Sequence, residues 1–399
     1  MSDKIGVAVI GASMRSGMIM DYLRNNPSQG FITGVYDLMR EKSKLIIDKF
    51  QVNNAVIYDS LEQAVTDNNA KAVFIGTTDY AHVEPAVAAM KANKHVFCEK
   101  PIATTLEDCN TIINAAKNSS AIFYLGMNLR HAPVYEKLYN VLSSGELGRL
   151  LTIEASEYYV EGRTYFRRWN RLRKFGGGLW ITKACHDFDI INWFAGAKPK
   201  KVFAINHLSH YKPRSDAGKN CRQCKIKDQC NDRYDVTYYE APKDILEFWD
   251  NLAKIAEEKT GVPRDICLFN SDKDTFDNGM AMVEYENGVL ANYTLNVVSA
   301  RNTRLVRLMG TKGSAEGDLN AGIVTVWNRF KKEAEKRVYD LNEMAKSSHN
   351  GADTNIMEEF FDSCRTGKKA LTSWEEGRLS IQLALAATAS CDSGKPVSI

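Results

Sequence analysis

The stretch VAVIGASMRSGMIMDYL, Val7 to Leu23, reads as a buried strand, a tight turn and a helix. A dinucleotide-binding turn has the form G-x-G-x-x-G. Its first glycine makes the turn, its second lets the backbone approach a pyrophosphate, and its third packs helix against strand. Here those positions hold Gly11, Ser13 and Ser16, with Gly17 one step late. N–H groups and the helix dipole at such a turn favour a pyrophosphate. Serine is small enough for the second and third positions, at some steric cost. Met14 and Arg15 lie in the same turn. Taken alone, a small-residue connection between strand and helix is more often just a turn.

What surrounds the stretch decides between these readings. Through about residue 125, short apolar runs (GVAVIG, FITGVYD, AVIYD, AVFIG, HVFCEKP, AIFYLGM) alternate with helical stretches. That alternation predicts βαβ units and a parallel sheet, whose strands are apolar throughout because both faces are covered. The second run ends in Asp37. A carboxylate there meets ribose hydroxyls and repels a 2′-phosphate, which favours NAD, with NADP as the alternative because Arg40 is close. The other reading of Asp37 is a loop or helix-capping carboxylate.

The chain has 399 residues, 44% apolar and 25% charged, with a net charge of +3. Two domains with a large core are expected, and disordered and collagen-like classes are excluded. The near-neutral balance argues against nucleic acid or an anionic membrane surface as partner. No apolar run approaches the roughly 20 residues of a membrane span, and the start lacks a signal-peptide pattern, so a cytoplasmic location is expected. Nine scattered cysteines do not make a disulfide framework.

After Asn128 the texture changes to longer strand candidates, with Asn287-Gly288 a two-residue hairpin signal and Thr311-Lys312-Gly313 a second turn. A polar, Cys-bearing insertion runs from about 211 to 275. Ser373 with Glu376 forms a capping box at the head of a long closing helix. The expected division is 1–128, 129–372 and a closing helix and tail, 373–399. In the insertion, Cys221, Cys224 and Cys230 are spaced C-x2-C-x5-C, and Cys267 follows. Two readings stand: a structural zinc held by these four thiolates, or reduced thiols in a polar loop.

At HVFCEKPIATTLED, Glu99-Lys100-Pro101 resembles the motif of the glucose–fructose oxidoreductase / inositol dehydrogenase / rhizopine-catabolism (Gfo/Idh/MocA) family. The segments FIGTTDYAHVEPAVAAMKANKHVFCEKP, GMNLRHAPVYEKLYNVLSSGELGRL, GGGLWITKACHDFDIINWFAG and SSHNGADTNIMEEFFDS are similar to that family's in order. The resemblance implies an α/β chain: an N-terminal Rossmann domain with a doubly wound parallel sheet, then a C-terminal α/β domain with an open, mainly antiparallel sheet. It implies hydride transfer between NAD(P) and a hydroxyl of a sugar or cyclitol, in a homodimer or homotetramer packed through the open sheet. Carried over by position, Gly11, Ser13, Met14, Arg15, Asp37, Thr77, His82, Glu99, Lys100 and Asn128 are cofactor candidates.

Such chemistry needs a base near neutral pKa and a cation to steady an alkoxide. By resemblance Lys100 holds the substrate hydroxyl and His186 is the catalytic histidine, with Asp189 on the same helix face to orient it. Many members carry Asp four residues before the histidine; here that position is Thr182, followed by Lys183, a candidate second cation. Arg130, Tyr159, Arg168, Trp169 and His349 are further substrate-side candidates, with His131 beside them. In the run RTYFRRWNRLRK, one or two arginines bind a substrate carboxylate or phosphate, or the run is a solvated or inter-subunit face. Three functions remain open: a sugar or cyclitol dehydrogenase, a redox-neutral NAD-dependent glycosidase or lyase, and a non-catalytic cofactor sensor.

Overall fold

The computed structural model describes residues 4–238, 241–344 and 350–399. Among these, β1 (Ile5–Ile10), β2 (Gly30–Tyr36), β3 (Val56–Ile57), β4 (Ala72–Ile75), β5 (His95–Cys98) and β6 (Phe123–Leu125) form an all-parallel sheet. Its order is β3-β2-β1-β4-β5-β6. The winding reverses between β1 and β4, and ligands of open α/β sheets bind outside the strand ends at such a switch point. Every residue of β1 and β4 is buried, as the apolar runs predict. Ser13, Ser60 and Thr105 start three of the helices by accepting a backbone N–H, the usual service of a hydroxyl at a helix head.

The turn after β1 explains its altered fingerprint. Gly11 has φ +89°, and a Cβ there would lie 2.7 Å from Thr77 N, so only glycine fits between the ends of β1 and β4. Ser13 caps the helix Met14–Asn25. Ser16 is buried and its hydroxyl donates to the Gly11 carbonyl. Close packing falls to Gly17, where a Cβ would meet the Phe50 ring at 2.4 Å.

The second sheet has nine strands among the described residues: β7 (Leu150–Tyr158), β8 (Pro199–His207), β9 (Asn278–Tyr285), β10 (Leu290–Asn296), β11 (Thr303–Gly310), β12 (Gly313–Asp318), β13 (Ile323–Asn328), β14 (Arg337–Asp340) and β15 (Val397–Ser398). Its order is β14-β13-β12-β11-β7-β10-β9-β8-β15, antiparallel except where β7 meets β10. Asn287-Gly288 turns β9 into β10, and Thr311-Lys312 links β11 to β12. Buried and exposed residues alternate along β9, so one face is covered and the other carries Ile205, Met280, Met282, Leu290 and Met309 in the open.

The capping box at Ser373 forms, and the helix Trp374–Ser393 packs on β8 and on the helix Cys185–Ala195. The tail after it is an edge strand, β15, paired with β8. The insertion departs from a merely polar loop. It contains an 18-residue helix, Lys243–Thr260, that reaches back to the first sheet. Phe248 is buried edge-on to Phe50 at 5.9 Å, and Lys49 Nζ lies 2.5 Å from the Asp244 carboxylate.

Candidate functional site

The nucleotide side is built at the ends of β1, β2 and β4. Asp37 accepts from Ala12 N and Met39 N, each at 2.8 Å, so it braces the glycine turn from the end of β2. Arg40, which left the choice between NAD and NADP open, pairs with Asp59 at 2.5 Å. Met14 is half-buried against the first sheet's core. Thr77 donates to the Ala81 carbonyl at 3.1 Å. Arg15, Glu99 and Asn128, expected as cofactor contacts, are linked in one network: Glu99 pairs with Arg15 directly, and Arg15 and Asn128 share Asp353. Arg15 donates to Glu99 at 2.9 Å and to Asp353 at 3.1 Å, and Asn128 Nδ2 donates to Asp353 at 2.7 Å. This network joins the turn after β1, the turn after β5 and the helix Ala352–Thr366. It leaves Asn128 Oδ1 buried without a hydrogen-bond partner among the described residues. A cradle closed to any Cβ at Gly11, a capped helix start at Ser13 and an unused buried acceptor at Asn128 fit a dinucleotide.

Lys100 follows β5, and its Nζ donates to the Thr182 carbonyl at 2.9 Å. The bond between Lys100 and Pro101 is cis. His82, expected to touch a cofactor, is instead wholly buried behind this turn, with Nδ1 2.7 Å from the Pro101 carbonyl. Burial pushes its imidazole down to about 4, so it is neutral at pH 7 and serves as a strut. Asp79 was not anticipated. It opens the 3₁₀ turn Asp79–Ala81 after β4, is 7% exposed, and its carboxyl meets the Thr182 side chain. Burial pushes it up to about 7, while the charge of Lys100 and the Thr182 contact pull it down.

His186 lies in the first turn of the helix Cys185–Ala195, four residues after Thr182, and is 9% exposed. Lys100 is thus tied to the residue four before His186. Asp189, expected to orient His186, gives both carboxylate oxygens to Arg130, at 2.8 and 2.7 Å. Both partners are buried, and Arg130 also lies over the Trp193 ring, so its charge is spent inside the fold and not on a substrate. His131 is likewise buried, 3.0 Å from the Tyr124 hydroxyl.

Lys183 is not a spare cation. Its Nζ lies 2.8 Å from Glu157 and 3.7 Å above the Tyr159 ring, and burial pushes its ammonium down. Arg304 joins Glu157 at 2.7 Å to Asp187 at 3.0 Å, and the Tyr293 hydroxyl donates to Asp187 at 2.9 Å. Burial alone would push Glu157 up; Arg304 and Lys183 hold it low. The Tyr159 hydroxyl donates to Glu161 at 2.9 Å.

The arginine run is mostly engaged. Arg167 donates to the Ile266 carbonyl, Arg171 to Asp272 and Arg173 to Asp392. Arg168 is exposed and makes no ion pair among the described residues. Trp169 is half-buried, edge-on to Tyr80 at 6.2 Å, against the turn after β4. His349 lies outside the described residues.

Cys221, Cys224, Cys230 and Cys267 line one small cavity. Among the described residues, however, no three His, Cys, Asp or Glu side chains are grouped as metal ligands, and all nine cysteines are free. The Cys221 and Cys224 sulfurs accept backbone N–H bonds from Tyr234 and Gly218, each at 3.2 Å. Of the two readings of these cysteines, the four-thiolate zinc site is not shown among the described residues. No helix of the described residues is long and apolar enough to cross a membrane.

Residues 5–127 match the model of the oxidoreductase family's NAD-binding Rossmann fold, and residues 140–399 match that family's C-terminal alpha/beta domain. The chain is 29% identical to the putative oxidoreductase YteT of Bacillus subtilis (strain 168), over 65% of this chain and 63% of the relative. It is 29% identical to inositol 2-dehydrogenase of Salmonella typhimurium, over 50% of this chain and 55% of that one. It is also 29% identical to 2,7-anhydro-N-acetylneuraminate hydratase of Escherichia coli K12, over 52% and 53%. The chain thus spans less than two thirds of the length of these curated relatives. Its fold is similar to that of levoglucosan dehydrogenase solved with NADH and levoglucosan, with a TM-score of 0.78 at 15% identity over 100% of both chains. With one family's two domain models matching in succession along nearly its whole length, the chain belongs to the Gfo/Idh/MocA oxidoreductase family.

Proposed function

We propose that this protein is an NAD-dependent oxidoreductase acting on a secondary hydroxyl of a sugar, sugar derivative or cyclitol. The observation that carries the reading is Lys100, which follows β5 at the end of the parallel sheet and donates at 2.9 Å to the carbonyl of Thr182, four residues before His186. Bound NAD supplies the hydride acceptor. Gly11, Ser13 and Asn128 fit its binding, and Asp37 favours it over NADP through repulsion of a 2′-phosphate. Residues 1–128 then serve the nucleotide and 129–372 the substrate.

Oxidising a carbinol carbon requires that its hydroxyl proton leave as the C–H bond weakens. Lys100 donates a hydrogen bond to that oxygen and steadies the charge it develops. His186 receives the proton at a ring nitrogen. Trp169 offers a flat face to a sugar ring, and exposed Arg168 suits a substrate carboxylate or phosphate. The apolar residues on the open face of the second sheet suit packing against another copy of the chain. A redox-neutral lyase is the second reading, favoured by the likeness to a hydratase. NADH formed in step with a ketone product from a polyol panel supports the first reading. Glycoside cleavage with solvent deuterium entering the ring and no net NADH supports the second.

A further inference from the structure

We infer that the insertion helix Lys243–Thr260 is a brace for the nucleotide site, with Phe248 as its positioning residue: packed on Phe50, it holds the head of the helix Met14–Asn25 against the turn after β1. The inference rests on the reading of that turn as the seat of a dinucleotide.

The helix Met14–Asn25 begins at the turn, so its first N–H groups are the ones aimed at a pyrophosphate. Gly17 lies in its first turn and donates from its backbone N to the Ser13 carbonyl at 3.3 Å. A Cβ at 17 would lie 2.4 Å from the tip of the Phe50 ring. A ring tip on an open surface could swing aside. This ring is packed by Phe248 of the insertion, which is edge-on to it at 5.9 Å and 3% exposed. Gly17, Phe50 and Phe248 thus form one line of contact from the nucleotide turn to the insertion.

The insertion helix is fixed at both of its faces. Phe248, Trp249 and Leu252 share one helix face and join the apolar cluster that holds Ile19, Leu23 and Ile46 of the first domain. Two ion pairs flank that face. Lys49 Nζ meets the Asp244 carboxylate and Lys259 Nζ meets that of Glu41, each at 2.5 Å. They grip opposite ends of the helix Arg40–Phe50, which follows Asp37. Pairs this open to solvent add little stability, so they set the orientation and the buried ring contact carries the hold. On the other side, Asp250 accepts from the Tyr234 hydroxyl at 2.9 Å and pairs with Arg264 at 3.1 Å. Tyr234 lies under the buried guanidinium of Arg167, which donates to the Ile266 carbonyl at 3.2 Å. Direct contacts therefore run from the arginine run of the second domain to the head of the nucleotide-facing helix.

Without Phe248, the Phe50 ring is free to move off Gly17 and the head of the helix loosens. Binding a pyrophosphate must then re-order it, which lowers affinity.

The test is native-state hydrogen exchange by mass spectrometry on the full-length protein without nucleotide, paired with NADH fluorescence titration. In Phe248→Ala, amides of Met14–Asn25 are expected to exchange about tenfold faster, with the β9–β10 hairpin unchanged as the control for global loosening. The NADH Kd is expected to rise by roughly tenfold. Phe248→Leu, which keeps a branched apolar side chain on Phe50, is expected to bring both back near the parent. A role in stability alone would lower Tm in Phe248→Ala and leave the NADH Kd where it was. Unchanged exchange over Met14–Asn25, a rise matched in the hairpin, or an unchanged NADH Kd overturns the inference. Should Phe248→Ala fail to fold, Gly17→Ala tests the same contact from the other end. Alanine favours a helix over glycine, so it does not weaken Met14–Asn25 itself, while its methyl pushes Phe50 onto Phe248. Faster exchange over Lys243–Thr260 with the hairpin unchanged supports the inference, and no change overturns it. A parent that binds no NADH would instead refute the reading of the turn, and the exchange measured without nucleotide still decides the brace.

Discussion

Asp79→Asn should make the protein more stable, and more so as pH rises. The carboxyl is pushed from 3.8 to about 7 by burial. A carboxyl with a raised pKa holds its proton more tightly folded than unfolded, so stability is lost as pH climbs from the unfolded value to the folded one. About three units at about 1.4 kcal/mol each place the full penalty near 4 kcal/mol at pH 8. At pH 5, little more than one unit above the unfolded value, the penalty is about 2 kcal/mol. Asparagine never ionises, so the variant escapes both. The stability gap between variant and parent should therefore widen by about 2–3 kcal/mol from pH 5 to pH 8. The assay is thermal unfolding followed by circular dichroism at the two pH values, in the same salt. At a few degrees per kcal/mol, the Tm gap should widen by roughly 5 °C. A gap equal at both pH values, or a variant less stable than the parent at pH 8, refutes the reasoning.

Three other outcomes are expected. Lys100→Met should lower kcat by about 10²-fold or more while NADH still binds, as NADH fluorescence titration would check. If Asp37 meets the ribose as proposed, Asp37→Ala should let NADP binding gain relative to NAD in paired titrations. Asp189→Asn strands the buried Arg130 charge and should cost about 3–5 kcal/mol, whereas exposed Arg168→Ala should stay within about 0.5 kcal/mol in urea unfolding.

Local periodicity made much of the fold legible. The parallel sheet follows from uniformly apolar runs between helices, and the β9–β10 hairpin follows from Asn287-Gly288. The helix Lys243–Thr260 was missed even though Ile245, Phe248 and Leu252 repeat at helical spacing. The polar residues between them hid the stripe. β15 is two residues long, too short to carry a pattern. The site was legible as a set of motif positions, but pairings across the fold leave no local trace. Arg130 finds Asp189 59 residues away, and Lys100 meets the Thr182 carbonyl 82 residues away. Residues that read as free to meet a ligand, such as Lys183 and Glu99, are therefore already engaged. Asp79 carried one usable signal: an acidic residue three before His82, just past the end of a parallel strand. The C-x2-C spacing fixes a local turn and nothing about where Cys230 and Cys267 point, which is why it could not decide the zinc question.

The most direct test of the central claim is to incubate the protein and its Lys100→Met variant with NAD and a panel of cyclitols, anhydro sugars and hexoses. NADH fluorescence and product mass are followed together. The account predicts, for at least one polyol, a product lighter by a pair of hydrogens, formed in step with NADH by the parent and lost in the variant. A parent that binds NAD yet forms no NADH from any polyol, or a variant that turns over like the parent, would contradict it.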